Sequence, residues 1–509
     1  MKALRDRLHS RQLSKIGAPS RFRIESVLVA MLFVIEVWST AGAATHRVVN
    51  KDGEPSCDQG DVQAAVDEAD NGDTVLVPAL TCTWTTREEG TAAVELPAER
   101  GITLQGAGIG KSVICANVGT DRAPDFNVFG ETAVTINGSG PKRARLTGFT
   151  FRGPACDEIT GVVANEVIFV VGTTTAFRID HNEFALYGTA IRTSGDAYGV
   201  VDNNTFGSRI DTGVVVLGAD DGNAARLEPV QLGSANAVYI EHNEFRHRNI
   251  LDPGPPAAVD AWAGGVFVLR FNDLENVFVV SHGSDSGCDN RGVYYQEIYG
   301  NKIHTDRDFF VAISLRGGTG AVFRNIVTGP FTELLGLFNY RSDPEYDQCV
   351  AQWGLCDGAS SWDGNVQSDG YPCLDQIGRG HDSVSPVIGE GWKGEGAKQA
   401  RVPLLLWQNS LDGRFNTSIN IRSYNLDKIT KDRDFLRGAE MREYHNGVGV
   451  RTYIDPDAPW NKGNGSTTIG RLASSDATKL TGDWPFPDPH PLAAGASARP
   501  AAPTGLQVK

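Results

Sequence analysis

One short phrase recurs along the chain and restricts the fold more than any other feature: an apolar residue, two residues, an Asn, one residue, then a second apolar residue. It reads Ile179-Asp180-His181-Asn182-Glu183-Phe184, Val201-Asp202-Asn203-Asn204-Thr205-Phe206 and Ile240-Glu241-His242-Asn243-Glu244-Phe245. It returns as Leu269-Arg270-Phe271-Asn272-Asp273-Leu274, Ile298-Tyr299-Gly300-Asn301-Lys302-Ile303 and Leu406-Trp407-Gln408-Asn409-Ser410-Leu411, with Phe323-Arg324-Asn325 as a looser copy. From Asn182 to Asn325 the intervals are 22, 39, 29, 29 and 24 residues. Helical repeats hold their length, whereas a solenoid of short strands absorbs extra residues at its corners.

Between the phrases lie strand-like runs such as Val214-Val215-Val216-Leu217 and Val277-Phe278-Val279-Val280, bounded by Gly, Asp or Asn. A chain with 58 Gly, 3 Met and 21% charged residues fits turns and strands better than a charged helical bundle. The expected architecture is all-β: coils of three short parallel strands, stacked roughly 4.8 Å apart, each satisfying its neighbours' backbone groups. The Asn is expected at a corner, in the left-handed conformation of a tight bend, with its amide bonding the Asn of the next coil. Hairpin turns of a β-sandwich are the alternative, but they favour Asn-Gly, which occurs in none of the phrases.

The opening of the chain adds Asp61-Val62-Gln63-Ala64-Ala65-Val66, Gly72-Asp73-Thr74-Val75-Leu76-Val77-Pro78 and Gly101-Ile102-Thr103-Leu104-Gln105-Gly106-Ala107-Gly108. With these elements residues 55 to 425 resemble the pectate-lyase-like right-handed parallel β-helix superfamily. The resemblance implies a right-handed solenoid closed at its N-terminal end by an amphipathic helix, with Val62, Ala65, Val66 and Ala69 on its apolar face. Asp432-Arg433-Asp434-Phe435 and Pro489-His490-Pro491-Leu492 look like the closing elements of some bacterial members. The expected domain runs over 44–492, with a cap near 55–115 and a Cys-bearing insertion near 340–400, followed by an Ala/Pro-rich tail, 493–509.

Residues 1–43 read as a signal peptide: a basic stretch, the nine-residue apolar run from Val27 to Ile35, then Ala41-Gly42-Ala43. An uncleaved anchor is the alternative; no later stretch is apolar enough to span a bilayer. Cleavage would leave 40 Lys+Arg against 59 Asp+Glu, a net charge of −19. Such a surface repels phosphate backbones, which argues against nucleic acid as a partner. The eight cysteines all follow this segment, so disulfides in an oxidising compartment are expected, although their pairing is not deducible. The expected protein is secreted or held at the cell surface, with no membrane span after cleavage, and monomeric or weakly associating.

If the phrases are in register, the residue two before each Asn points outward, giving the stripe Asp180, Asp202, Glu241, Arg270, Tyr299. Its three carboxylates could share a calcium ion or form an acid/base pair; a solvated polar face is the bland alternative. His181 and His242 are expected to point inward as packed corner residues. Asp180-His181 also resembles part of the Ile-Asp-His motif of one pectate lyase family, without the acidic residues that follow it there.

The segment 260–318 is the richer in chemistry. Arg270, Glu297 and Arg316 are expected to face one groove with His282 on its wall, as catalytic candidates, and Asp260, Trp262, Asp285 and Arg291 as substrate contacts. Cleaving a sugar acid needs a cation for the carboxylate, a base for the ring proton and an aromatic platform, and these are the right residue types. A structural ion pair for Arg270 with Glu297, and a corner hydrogen bond for His282, are the alternatives. The polygalacturonase pattern is absent. Gly106-Ala107-Gly108-Ile109-Gly110-Lys111-Ser112 imitates a phosphate loop but has Gln105 where the first Gly belongs. The expected function is carbohydrate-active, on an acidic extracellular polysaccharide and by lyase-type β-elimination if catalytic. A non-catalytic glycan-binding surface protein is the alternative.

Overall fold

The computed structural model describes residues 43–86, 91–118, 131–154, 156, 164–185, 187–207, 209–218, 230–247, 256–284, 291–340, 374–382, 399–415, 419–422, 426, 428–431, 433–437, 444–445, 451–452 and 486–493. The proposed signal segment up to residue 42, the tail beyond 493, most of the stretch 340–400, Asp285 and Cys288, Cys349, Cys356 and Cys373 lie outside them.

The chain forms a right-handed parallel β-helix. Successive strands pass in turn to a 12-stranded, an 11-stranded and a 10-stranded sheet, here sheets A, C and B, and neighbours along the coil direction pair in parallel. Each coil therefore buries one side of three strands against a common core and turns the other side outward. The inward residues three before each ladder Asn, such as Ile179, Val201, Ile240, Leu269 and Ile298, are fully buried. Two residues after the Asn, Phe184, Phe206 and Phe245 stack with Phe151 of the preceding coil, with centroids 5.5, 5.1 and 4.4 Å apart along the column.

The asparagines form one continuous column. The Oδ1 of Asn204 accepts both the backbone N–H and the side-chain amide of Asn182, at 3.0 and 3.1 Å. The same pair of bonds repeats from Asn204 to Asn243, Asn243 to Asn272, Asn272 to Asn301, Asn301 to Asn325 and Asn325 to Asn409. All seven are buried, so each amide must find its partners within the protein, and the side-chain N–H groups also donate to backbone carbonyls such as Leu146, Ile179, Val201 and Ile240 of the preceding coils.

The conformation of the corner differs from expectation in one respect. The left-handed residue is the one before each Asn: His181, Asn203, His242, Phe271, Gly300, Arg324 and Gln408 have φ between 52° and 68°. The bend is taken there so that the Asn keeps the backbone geometry in which its amide points into the stack. His181 and His242 consequently turn away from the core instead of packing inward, with side chains 44% and 27% exposed.

At the N-terminal end a single described helix, Gln59–Glu68, buries Val62 and Val66, as does Ala69 just after it, against the first coils. Burying two valines is worth roughly 3 to 6 kcal/mol, before entropy. The disulfide Cys57–Cys82 ties the approach to this helix onto the first strand of sheet C, where Trp84 Nε1 donates to Cys57 O at 2.8 Å. A second disulfide joins Cys115 to Cys156. No helix among the described residues is long and apolar enough to cross a membrane.

Candidate functional site

The outer face of sheet A carries the predicted stripe, and it is covered. Asp180, Asp202, Glu241, Arg270 and Tyr299 fall in one column of paired residues and all are buried. Asp180 receives both Arg145 Nε and Nη2 at 2.6 Å, and these bonds, with those from Arg178 and His181, hold its carboxyl near 2 despite burial. Arg178 grips Asp202 with two bonds of 2.8 and 2.7 Å. Arg270 donates to Glu241 Oε2 at 2.7 Å and to Tyr299 Oη at 3.0 Å, and lies 4.9 Å over the Tyr239 ring. Burial pushes the Tyr299 phenol up.

A strap from the far end of the chain, residues 486–493, seals this face. Arg270 donates to the carbonyls of Phe486 and Pro487, at 2.5 and 2.7 Å, and Arg178 to that of Leu492 at 3.3 Å. The His490 amide donates to Glu241 Oε1 at 2.8 Å, and the His490 and Phe486 rings both pack 4.8 Å from that of Tyr239. Pro489-His490-Pro491-Leu492 is thus a closing element over a sheet face. Burial and the nearby Arg270, Arg178 and Arg143 push the His490 imidazole down to about 3. Farther along, Tyr239, Val268, Tyr299, Phe323, Trp407 and their neighbours form a second apolar cluster on this outer face.

The stripe does not have the donor set of a calcium site. Asp180 and Asp202 are each held by arginine, and both oxygens of Glu241 are engaged, by Arg270 and by the His490 amide. Calcium wants six to eight oxygens unclaimed by cations. Glu241, His242 and Asp488 do bring ligating atoms within 4.8 Å of one another, but His242 Nε2 is already 2.7 Å from Asp488 Oδ1. Nor do Arg270 and Glu297 share a groove with His282 and Arg316: both lie on sheet A, where Glu297 is buried and accepts the Gly233 amide at 2.7 Å. Arg291 is a structural anchor, bonded to Asp375 at 2.7 and 2.8 Å.

The remaining predicted residues meet on the outer face of sheet B. Its strands Ala257–Trp262, Phe278–Ser281, Phe309–Leu315, Phe331–Leu337 and Ile419–Ile421 are consecutive neighbours. Register places Ala261, Ser281, Leu315, Leu337 and Ile421 side by side. The next residue on each is therefore Trp262, His282, Arg316, Phe338 and Arg422, one per coil in one column facing away from the core. A register shift between Ala257 and Val259 precedes Asp260, at the rim of the site.

His282 Nε2 lies 2.8 Å from Asp260 Oδ1, with the two side chains 18% and 21% exposed. Arg316 Nη2 contacts His282 Nδ1, and its guanidinium lies 5.0 Å from the Tyr340 ring centre. A guanidinium only donates, so this contact assigns Nδ1 as acceptor and puts the proton on Nε2, the nitrogen close to Asp260 Oδ1, where the approach is an ion-pair distance and the angles do not make a hydrogen bond. The Trp262 ring lies 5.5 Å from the imidazole. Carboxylate, imidazole, guanidinium and indole thus occupy three adjoining coils.

Beyond Arg316 the same face carries residues that sequence reasoning missed. Phe338 stacks on Tyr340 and Phe310, at 5.9 and 6.3 Å, and Arg422 lies 4.7 Å over Phe310. Sheet B has no repeated phrase like that of the Asn corner, so nothing in the sequence aligns its coils.

Comparison with known proteins finds no matching family model and no matching curated protein. Solved structures do match. An alginate lyase from Paenibacillus sp. str. FPU-7 is similar at 16% identity and a TM-score of 0.33, covering 56% of this chain and 95% of its own. The A-module of the mannuronan C-5 epimerase AlgE6 of Azotobacter vinelandii is similar at 15% identity and 0.29, covering 56% and 93%. The PL6 family alginate lyase AlyGC is similar at 12% identity and 0.29, covering 85% of this chain and 58% of that one.

Proposed function

We propose that the outer face of sheet B binds an acidic polysaccharide and that Asp260, His282 and Arg316 cleave it by β-elimination. The observation that carries this reading is the contact of Arg316 with His282 Nδ1, beside the Asp260 carboxylate and the Trp262 ring. In the free protein Arg316 masks the imidazole lone pair. A uronate carboxylate is a stronger partner for a guanidinium than a neutral nitrogen. On binding, it draws Arg316 away from Nδ1, which leaves a base beside a neutralised carboxylate.

Nδ1 then takes the proton from C5, next to that carboxylate. The C5–H electron pair forms the C4=C5 double bond, the C4–O bond breaks, and the leaving oxygen takes a proton from water. The imidazolium, protonated on both nitrogens, is stabilised by Asp260. Trp262 offers a stacking face to the adjoining sugar. No step is routed through calcium or through the buried stripe of sheet A. Disulfides and the proposed signal segment support an extracellular setting for such a substrate.

The test is a panel of pectate, alginate and glycosaminoglycans incubated with the mature protein, with and without calcium, following the absorbance of unsaturated uronate. The expected outcome is product release from at least one polyuronate, abolished by His282→Ala and Arg316→Ala with folding intact. Retention of a polymer with no unsaturated product would replace the lyase with a glycan-binding surface protein.

A further inference from the structure

We infer that Arg422 is a second carboxylate-binding position, so that the groove takes an extended polyuronate lying along the helix axis. The inference rests on the reading of Arg316 as the first. Arg316 and Arg422 stand in one outward column with a single coil between them, which places them roughly 10 Å apart at the strand spacing. In an extended 1,4-linked uronan successive residues turn over, so alternate carboxylates project to the same side. Two coils therefore match two sugar residues.

What lies between the arginines fits that ligand. The intervening coil carries Phe338, itself buried, and the half-buried Tyr340; they support Phe310 of the Arg316 strand, which is 41% exposed and offers the open ring. Such faces suit the apolar side of a pyranose ring. Arg422 is exposed and stacks on Phe310 and Phe338, at 4.7 and 5.5 Å, and takes part in no ion pair among the described residues. Stacking fixes the plane of the guanidinium and leaves its N–H edge for a carboxylate, at a lower entropy cost than a free side chain would bear. The cation has aromatic support and no counter-charge among the described residues, whereas Arg145, Arg178 and Arg270 of sheet A each face a carboxylate.

The experiment is calorimetric titration with oligogalacturonates, oligomannuronates and oligoguluronates of two to five residues. The native protein is expected to gain about tenfold in affinity between the disaccharide and the trisaccharide, the shortest chain with two same-side carboxylates, the gain of one charge-assisted contact. Arg422→Gln is expected to remove that step and leave disaccharide binding unchanged, Arg422→Lys to restore part of it, and a carboxyl-reduced trisaccharide to show none. Native binding that is indifferent to length, or a length step that survives in Arg422→Gln, overturns the second position while leaving the first intact. Absence of binding at every length, for all three series, overturns the reading of Arg316 as well.

Discussion

Sheets A and B both turn charged side chains away from the core, and they treat them in opposite ways. On sheet A, Asp180, Asp202, Glu241 and Arg270 are each matched by a counter-charge and roofed by the strap, leaving none of them exposed. On sheet B, Arg316 and Phe338 are buried, but Asp260 and His282 keep about a fifth of their surface in solvent, and Phe310 and Arg422 lie open. A charged outward column is therefore no evidence of a site in this fold. What separates scaffold from chemistry is whether something covers the column and satisfies it.

The sharpest way to break the comparison is to remove one charge from each face. Arg270→Ala strands Glu241 in a sealed environment and should cost about 3 to 5 kcal/mol, read by urea denaturation. His282→Ala disturbs only a partly exposed pair and should cost under about 1 kcal/mol. Near-equal losses would mean that both faces are scaffold. Cutting the ladder should fall between these limits. Asn272→Ala leaves amide and carbonyl groups of adjoining coils without partners and should cost about 1 to 3 kcal/mol in the same measurement, with no change in oligouronate affinity.

Acidity should loosen sheet A's cover and spare its core. His490 is held near 3, below the 6.5 of an unperturbed imidazole, so protonation favours the undocked strap. The stability it contributes is complete above about pH 6.5 and declines as pH falls from there toward 3. His242 has the opposite sign: its hydrogen bond and charge pairing with Asp488, aided by Glu241 and opposed by burial and Arg270, raise it. That contribution is complete below about pH 6.5 and is lost as pH rises through the raised value. Protection of the strap amides, taken as the intrinsic exchange rate at each pH divided by the observed rate, should therefore be greatest near neutrality and lower at pH 4.5 and at pH 9. His490→Phe should abolish the acid limb alone. Protection independent of pH between 4.5 and 7 would show that His490 does not govern docking. The smallest effect is expected at the corner: His181→Gly relieves a left-handed residue but gives up the bond to Asp180, and the two opposed effects should leave a shift of about 1 kcal/mol or less.

Much of the scaffold was legible because the Asn phrase reports inward and outward positions together. Apolar residues at −3 and +2 fix which sides face the core, and the ladder follows from them. The left-handed position was not, because His, Asn, Phe, Gly, Arg and Gln all occupy it and share no chemistry. Trp262, Asp260, His282 and Arg316 were identified by type and do assemble. Arg270 and Glu297 were grouped with them wrongly because distance along the chain does not say which of three sheets a residue enters. Pro489-His490-Pro491-Leu492 was legible as a closing element, but the face it closes was not, for a related reason: Asp488 meets His242 across 246 residues, and no local pattern marks that contact.

Asn409 rests directly on Asn325, and Ile421 pairs with Leu337, although 84 residues separate each pair. The rung is indifferent to how much polypeptide leaves and rejoins the stack there. Residues 374–380 are the fixed part of that stretch, buried and tied to the coils through Asp375 and Arg291, so it is the lengths of chain on either side of them that natural variation or engineering could change while the spacing of Arg316 and Arg422 stays as the coils set it. Such a molecule can change what it displays beside the furrow without renegotiating what the furrow holds.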